Sequence, residues 1–174
     1  YNILGDLHTV LPHEAAGRAR AALSRALEID PDLGEAHISY GFARLFYDWD
    51  WAGSLRAFEK GIALNPGYPT GHQWYSEVLS STGMHEKAIA EAVCATELDP
   101  FSPIIATTLG DTYFFARMYD EALGAIRRAL DLDPQFVPAN SDLGRTLTQM
   151  GRHDEAIAAF EHTLALQGGE RLVS

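Results

Sequence analysis

The sequence predicts an all-α fold in which antiparallel helix hairpins stack one after another. Prolines that follow an acidic or amide residue recur at Pro31, Pro66, Pro100 and Pro134, at intervals of 35, 34 and 34 residues. A fixed period of this length is typical of stacked supersecondary units. Within each period, apolar and small residues recur at three- and four-residue steps, which indicates two amphipathic helices rather than strands.

Small side chains align in columns when the chain is divided at these prolines. The first-helix column is Gly5, Gly41, Ser76, Gly110 and Gly144. The second-helix column is Ala19, Ser54, Ala88, Ala122 and Ala156. A larger column on the second helix is Leu23, Phe58, Ala92, Ile126 and Phe160. Since helices approach to about 8–10 Å where facing residues are small, we expect the small columns to meet within a hairpin. The larger column should then fill the seam to the next hairpin.

Prolines and glycines predict where the helices end. Proline disfavours α geometry in the residue before it and cannot continue the hydrogen-bond ladder, so second helices should end at the Asp-Pro or Asn-Pro steps. Gly83 and Gly151 are expected to end first helices, where a positive φ is useful, and Arg117 holds that place in the fourth repeat. One extra residue near Trp49 and Trp51 predicts an enlarged turn. We interpret the two tryptophans as stapling this turn, with a binding loop as the alternative, since aromatic residues are common at binding hot spots.

The period divides the chain into five units of one solenoid fragment, residues 1–174. The expected bounds are 1–31 for a partial first repeat, then 32–66, 67–100, 101–134 and 135–168, with 169–174 as a tail or the start of a further repeat. The chain opens on Tyr1 rather than Met, which predicts a piece of a longer protein.

Composition and charge exclude several classes of partner. The chain has 13 Lys and Arg against 24 Asp and Glu, a net charge of −11, which repels phosphate backbones and anionic lipids. No apolar run is long enough to span a bilayer. The sequence therefore predicts no nucleic-acid partner and no membrane insertion of this segment. The compartment is left open, with the cytoplasm as the default.

Catalytic and metal-binding patterns are missing from the sequence. Cys94 is the single cysteine, so a multi-thiolate metal site is impossible, and it has no registered His or Asn partner. The chain has no Gly-x-Ser-x-Gly elbow and no phosphate-binding glycine loop. The seven histidines do not have the HExxH spacing: His8, His13, His37, His72, His85, His153 and His162. His37 and His72 share a column, and we interpret them as structural. We predict no enzyme, no cofactor and no metal, with an enzyme or a metal- or cofactor-binding protein as a remote alternative.

The spacing and the columns resemble those of the tetratricopeptide repeat family. The best-matching unit has the family residues Leu109, Gly110, Tyr113, Ala122, Ile126, Ala129 and Pro134. The likeness covers nearly the whole chain and departs from the family at Arg44, where a tyrosine is usual, and at the extra residue that follows. It implies a right-handed α-α superhelix whose first helices line a concave surface.

The family resemblance also implies which residues lie on the concave face and bind a partner. These are Ile38, Phe42, Leu45, Gln73, Trp74, Glu77, Thr107, Asp111, Phe114, Ser141, Asp142 and Arg145. Relatives that hold a carboxylate-terminated tail use lysine, arginine and asparagine here, whereas this chain has mostly apolar or acidic residues. We therefore expect a protein or peptide partner that carries aromatic or aliphatic anchors and positive charge.

Two functional hypotheses follow. In the first, the chain is a non-catalytic scaffold for protein interactions. The stretch from Glu35 through residues 46–51 to Pro66 resembles repeat arrays of bacterial signalling proteins, which implies a regulatory segment next to a kinase, a cyclase or a winged-helix domain. In the alternative, the chain self-assembles as a homo-oligomer through uncapped terminal repeats, which tend to associate.

Overall fold

The computed structural model describes residues 12–171, and all regular structure in that stretch is helical. The nine helices of this stretch are α1 (Pro12–Ile29), α2 (Gly34–Asp48), α3 (Trp51–Leu64), α4 (Pro69–Ser81), α5 (His85–Leu98), α6 (Pro103–Phe115), α7 (Tyr119–Leu132), α8 (Val137–Gln149) and α9 (His153–Arg171). None of them has both the length and the apolar content that a membrane crossing requires. The predicted all-α class is confirmed. Gly5 and the last residues of the expected tail lie outside the described residues.

The chain divides into two compact units, residues 1–75 and 76–174. In the first unit, α2 packs against α3 and against α1. In the second unit, α6 packs against α7 and α8 against α9, while α5 contacts α6 and α7 contacts α8. The first helices α6 and α8 also touch each other. Residues 32–66, 101–134 and 135–168 thus each contain one antiparallel hairpin.

The second helices end where the prolines predict. Helices α1, α3, α5 and α7 each stop one residue before the Asp or Asn that precedes a proline. Helix α9 is different, because it runs through Gly168 to Arg171 instead of ending at 168. Gly168 stands where the other repeats have proline, and glycine weakens a helix without removing a backbone donor. The expected repeat end at 168 therefore does not end the helix.

The turns inside the hairpins contain residues in the left-handed region. The φ angle is 78° at Gly83, 73° at Gly151 and 62° at Arg117, as predicted for helix ends of this type. In the second repeat, Trp49 has a φ of 55°. After it comes Asp50, whose carboxylate accepts a hydrogen bond of 2.8 Å from the backbone N–H of Gly53 and so begins α3 at once.

The expectation of an enlarged, tryptophan-stapled turn is wrong. The turn between α2 and α3 contains only two residues, Trp49 and Asp50, whereas three residues separate α6 from α7. The extra residue lengthens α2, which has 15 residues where α6 has 13. Trp49 is 75% exposed and Trp51 39% exposed, so neither closes the turn by burial.

In the second, fourth and fifth repeats, a glycine of the first helix receives a large side chain of the second helix. A Cβ at Gly41 would lie 2.8 Å from Phe58 Cδ2, and a Cβ at Gly110 would lie 2.7 Å from Ile126 Cγ1. Gly144 has the same relation to the ring of Phe160. The larger column therefore packs inside its own hairpin, which corrects the expectation that it fills only the seam. It also reaches onward, since Phe58 stacks on Tyr75 of α4 at 5.7 Å between ring centroids.

A double-mutant cycle at Gly110 and Ile126 tests this packing. Gly110→Ser should cost about 1–3 kcal/mol of unfolding free energy because the new atoms meet Ile126. Ile126→Ala should cost about 2–5 kcal/mol through the cavity it leaves. The two substitutions together give the Ser and Ala combination that the third repeat has at Ser76 and Ala92. The double variant should therefore lose about 1 kcal/mol less unfolding free energy than the sum of the two single losses.

Urea unfolding of the four proteins gives the coupling. Gly124→Ser on α7 is the matched control, because a Cβ there meets nothing within 4 Å. If the losses in unfolding free energy of Gly110→Ser and Ile126→Ala simply add, the side chains at these two positions do not pack against each other.

Candidate functional site

The predicted partner-binding residues divide into buried and accessible ones. Ile38, Leu45, Gln73 and Thr107 are at most 8% exposed. Ile38 is fully buried because Gly61 and Gly71 leave room for its side chain. These four side chains fill the interior and offer no contact surface. The accessible residues are Phe42, Trp74, Glu77, Asp111, Phe114, Ser141, Asp142 and Arg145. Their role in binding stays a prediction.

In the first unit, Phe42, Phe46 and Trp74 form an aromatic stripe. The rings of Phe42 and Phe46 stack with centroids 4.2 Å apart, and Phe42 lies 4.9 Å from Trp74. Phe42 and Trp74 are half-buried, while Phe46 is 55% exposed. The sequence prediction missed Phe46, although its four-residue spacing from Phe42 places both on one side of α2.

In the second unit, Asp111, Phe114, Asp142 and Arg145 form a carboxylate–arginine cluster. The guanidinium of Arg145 pairs with the carboxylate of Asp111 and forms a second ion pair with Asp142, 3.0 Å from its Oδ1 atom. Its central carbon lies 4.3 Å from the centroid of the Phe114 ring, a distance suited to a cation–π contact. Helix α6 supplies Asp111 and Phe114, and α8 supplies the other two residues. The cluster therefore joins two first helices.

The two carboxylates of the cluster hold a proton more tightly than ordinary aspartates. Burial, with the nearby charge of Asp111 as a second cause, raises the pKa of Asp142 to about 7, because the attraction of Arg145 does not compensate. Burial also raises the pKa of Asp111. Near neutral pH the cluster therefore changes between a net charge of zero and one negative charge.

The spacing of two charged residues in the sequence could have predicted this cluster. Asp111 and Arg145 are one repeat apart, 34 residues, and carry opposite charges, so they occupy the same place on neighbouring first helices. A second pair, 31 residues apart, was also missed: the hydroxyl of Thr108 donates to Glu77 at 3.3 Å. Phe115 was not singled out either; it is 52% exposed, and its ring centroid lies 5.8 Å from the Arg145 guanidinium.

The histidines that share a column bond to the backbone. The Nε2 atom of His37 lies 2.8 Å from the carbonyl oxygen of Pro31, and that of His72 lies 3.0 Å from the carbonyl of Pro66. Asn140 donates to Pro134 from the same column. Because a carbonyl only accepts, each ring donates an N–H there. Across residues 12–171, no three His, Cys, Asp or Glu groups lie together as metal ligands do.

Comparison with known proteins gives a consistent family likeness. The sequence model of the tetratricopeptide repeat matches residues 116–173. The small glutamine-rich tetratricopeptide repeat-containing protein 2 of Mycosarcoma maydis is 31% identical over 81 residues. That match covers 47% of this chain and 23% of the relative, so the chain spans about a quarter of that protein's length.

Solved structures share the fold. MamA from Desulfovibrio magneticus RS-1 is similar with a TM-score of 0.74 and 20% identity, over 94% of this chain and 89% of MamA. YrrB, described as a TPR protein with an unusual peptide-binding site, is similar with a TM-score of 0.69 and 20% identity, over 96% and 82% of the two chains. At these identities the likeness shows the fold alone.

The raised pKa of Asp142 predicts a pH-dependent stability. An unfolded aspartate gives up its proton near pH 4, whereas folded Asp142 keeps it to about pH 7. The folded state thus binds more protons between these values, and stability should fall as pH rises through this window. Asp142→Asn removes this pH dependence. The unfolding free energy of the variant minus that of wild type should therefore increase by about 1 kcal/mol or more from pH 5 to pH 8.

Urea unfolding at both pH values measures this difference. Asp131→Asn, at an exposed position of α7, is the control and should show no such change between the two pH values. If the stability difference between wild type and Asp142→Asn is the same at pH 5 and pH 8, folded Asp142 does not keep its proton in this range.

Proposed function

We propose that the chain, whose sequence is similar to the tetratricopeptide repeat family, is a non-catalytic scaffold for a segment of a partner protein. The segment would carry aromatic or aliphatic anchors and basic side chains. The observation that carries this proposal is that first helices present accessible groups that the core does not use, namely the aromatic stripe and the carboxylate–arginine cluster. The peptide-binding site described for YrrB, which shares the fold, supports a peptide ligand.

The aromatic stripe supports apolar anchors in the partner. Phe46 leaves more than half of its surface in water, and Phe42 and Trp74 are only half-buried. Burying a fully exposed side chain of this kind contributes roughly 1.5–3 kcal/mol, and covering the exposed half of Phe46 would contribute part of that. Tryptophan, here Trp74, is also one of the residue types that dominate measured binding energies at protein interfaces.

Charge supports basic side chains in the partner. The chain has a net charge of −11, and in residues 76–174 there are fifteen acidic side chains and seven basic ones. A lysine or arginine placed near the cluster would favour the ionised form of Asp142, so binding would release a proton near neutral pH. Complementary charge would also speed the encounter of the two proteins.

A peptide-binding measurement tests the proposal. The probe is a fluorescein-labelled synthetic peptide with alternating leucine and lysine, and a matched peptide has glutamate in place of lysine. The double variant Phe42→Ala and Phe114→Ala should weaken binding of the lysine peptide by a factor of ten or more, because two aromatic contacts are lost. Fluorescence anisotropy gives the Kd, and circular dichroism checks that the variant is folded.

The same titration reports the charge contribution. Binding of the lysine peptide should strengthen between pH 6 and pH 8 as Asp142 ionises, and Asp142→Asn should remove that dependence. The proposal fails if the folded double variant binds undiminished, or if the glutamate peptide binds as well as the lysine peptide.

We also propose that the chain is a regulatory segment of a larger bacterial signalling protein. The support is the local likeness of residues 35–66, including the Trp49 and Trp51 region, to arrays in such proteins. Reading the gene that encodes this chain is the test. An effector domain of the kinase, cyclase or winged-helix type is expected, and a gene with no such domain contradicts the proposal.

Exposed apolar residues on α9 favour self-assembly as a second candidate function. Ile157, Phe160 and Leu164 are 56%, 39% and 66% exposed. One repeat earlier on α7, Leu123 and Ile126 are 5% and 0% exposed, and that core includes Ala139 of α8. The apolar face of α9 is therefore of the kind that this fold covers with another helix.

Sedimentation velocity tests self-assembly. The double variant Ile157→Glu and Leu164→Glu should dissociate any oligomer of the wild type, since charge on the apolar face opposes its burial. Ala158→Glu, at an exposed position of the same helix, is the control and should leave the oligomer intact. A wild-type protein that sediments as a monomer up to high concentration contradicts this candidate.

A further inference from the structure

We infer that the turn between α2 and α3 is a second contact surface, on which Trp49 holds a lysine or arginine side chain of the partner segment. This inference rests on the proposed function, and it adds a residue outside the expected concave face. Three observations carry it: a strained backbone, an exposed ring, and two flanking carboxylates. All of them concern the first unit alone.

The backbone at Trp49 is in a conformation that its residue type disfavours. Trp49 has φ 55° and ψ 24°, in the left-handed region, where a Cβ crowds the following carbonyl. The third and fifth repeats have Gly83 and Gly151 in their turns, with φ of 78° and 73°. Glycine would adopt this geometry without the crowding. A bulky residue here is an outlier, and such strain concentrates at functional sites.

The indole ring does not compensate for this strain by packing. Trp49 is 75% exposed, the most of any tryptophan in the described residues. The turn is held instead by backbone and by Asp50: the N–H of Asp50 donates to the carbonyl of Arg44 at 3.0 Å, and Asp50 caps α3. Folding therefore gains little from the ring, which leaves it free to contact another molecule.

Acidic side chains lie on both sides of Trp49 in the chain. Asp48 and Asp50 flank it in the chain, with side chains 41% and 40% exposed. Asp48 pairs with Arg20, and Asp50 pairs with Arg44 at 3.0 Å. Such surface pairs contribute little, so a partner cation can share their carboxylates at small cost.

The face of an indole ring attracts cations and is the strongest aromatic partner for them. An anionic group would instead lie against the negative face of the ring. A lysine or arginine can contact both the Trp49 ring and the carboxylates of Asp48 and Asp50. The aromatic stripe and the carboxylate–arginine cluster favour the same partner chemistry. Phe46 lies in the last turn of α2, three residues before Trp49, and both rings are more than half exposed.

Two matched variants test the inference. Trp49→Gly and Arg117→Gly both replace a non-glycine residue of positive φ, at 55° and 62°. Both should therefore raise the Tm, by about 2–4 °C each. Only Trp49→Gly should weaken binding of the lysine–leucine peptide, by a factor of ten or more. A variant that is more stable and binds less is not expected of a residue that only supports the fold.

A third peptide, with norleucine in place of lysine, tests the cation. Its affinity should be the same for wild type and Trp49→Gly, because it keeps the apolar length and lacks the charge. If Trp49→Gly weakens both peptides equally, Trp49 is an apolar anchor and the cation assignment is overturned. If wild type self-associates and Trp49→Gly does not, the occupant is a second copy of the chain, which also overturns the inference.

The results separate this inference from the proposed function. Unchanged lysine-peptide binding by Trp49→Gly, together with a loss in the Phe42→Ala and Phe114→Ala variant, overturns the turn contact alone. The opposite pattern supports the turn and overturns the concave-face proposal. A wild type that does not bind the lysine peptide overturns both, and a lower Tm for Trp49→Gly overturns the strain argument and the inference with it.

Discussion

The structure depends on the close contact between a first-helix glycine and a large second-helix side chain. Gly41, Gly110 and Gly144 each have room for a hydrogen only, because a Cβ would lie less than 3 Å from a ring or branched side chain. This contact fixes how near the two helices come and which faces they bury. In the third repeat the pair is Ser76 and Ala92, so volume added on one helix is removed from the other.

The same contact determines which surface is left for function. Since the glycine side of a first helix is filled from within the hairpin, other sides of that helix can carry residues that the core does not need. The hydrogen bonds from His37, His72 and Asn140 to proline carbonyls hold the starts of three first helices. Polar side chains in this column thus stabilise the repeat, and the residues proposed to contact a partner, such as Phe42 and Asp111, lie outside it.

Local chemistry made most of the fold predictable from the sequence. The second helices end before Asp-Pro and Asn-Pro steps because proline acts on its immediate neighbours, and Gly83 and Gly151 take positive φ because they lack a Cβ. Trp49 could not be predicted in this way, since no local preference places tryptophan there. Its conformation follows from α2 continuing to Asp48 while Asp50 already caps α3.

The candidate site was harder to predict because it depends on contacts between repeats. Whether Ile38 is a wall residue or a core residue is decided by Gly61 and Gly71, which lie on other helices. The cluster, in contrast, could be found from the one-repeat spacing of Asp111 and Arg145. In such arrays, oppositely charged residues one period apart on neighbouring first helices indicate an ion pair between repeats. The burial of that ion pair then determines whether its carboxylates are protonated.

Under the proposed function, each unit would favour a partner through a different physical effect. In the first, the apolar area of Phe46 and its neighbours would slow dissociation, because such contacts form only when water is excluded. In the second, an excess of acidic side chains would act at longer range and speed association. In the cluster, the attraction of Arg145 does not compensate for the burial of Asp142, so a cation from the partner would favour its ionised form. A partner with both apolar and basic side chains satisfies all three conditions, whereas a purely apolar segment would leave the carboxylates without a counter-charge.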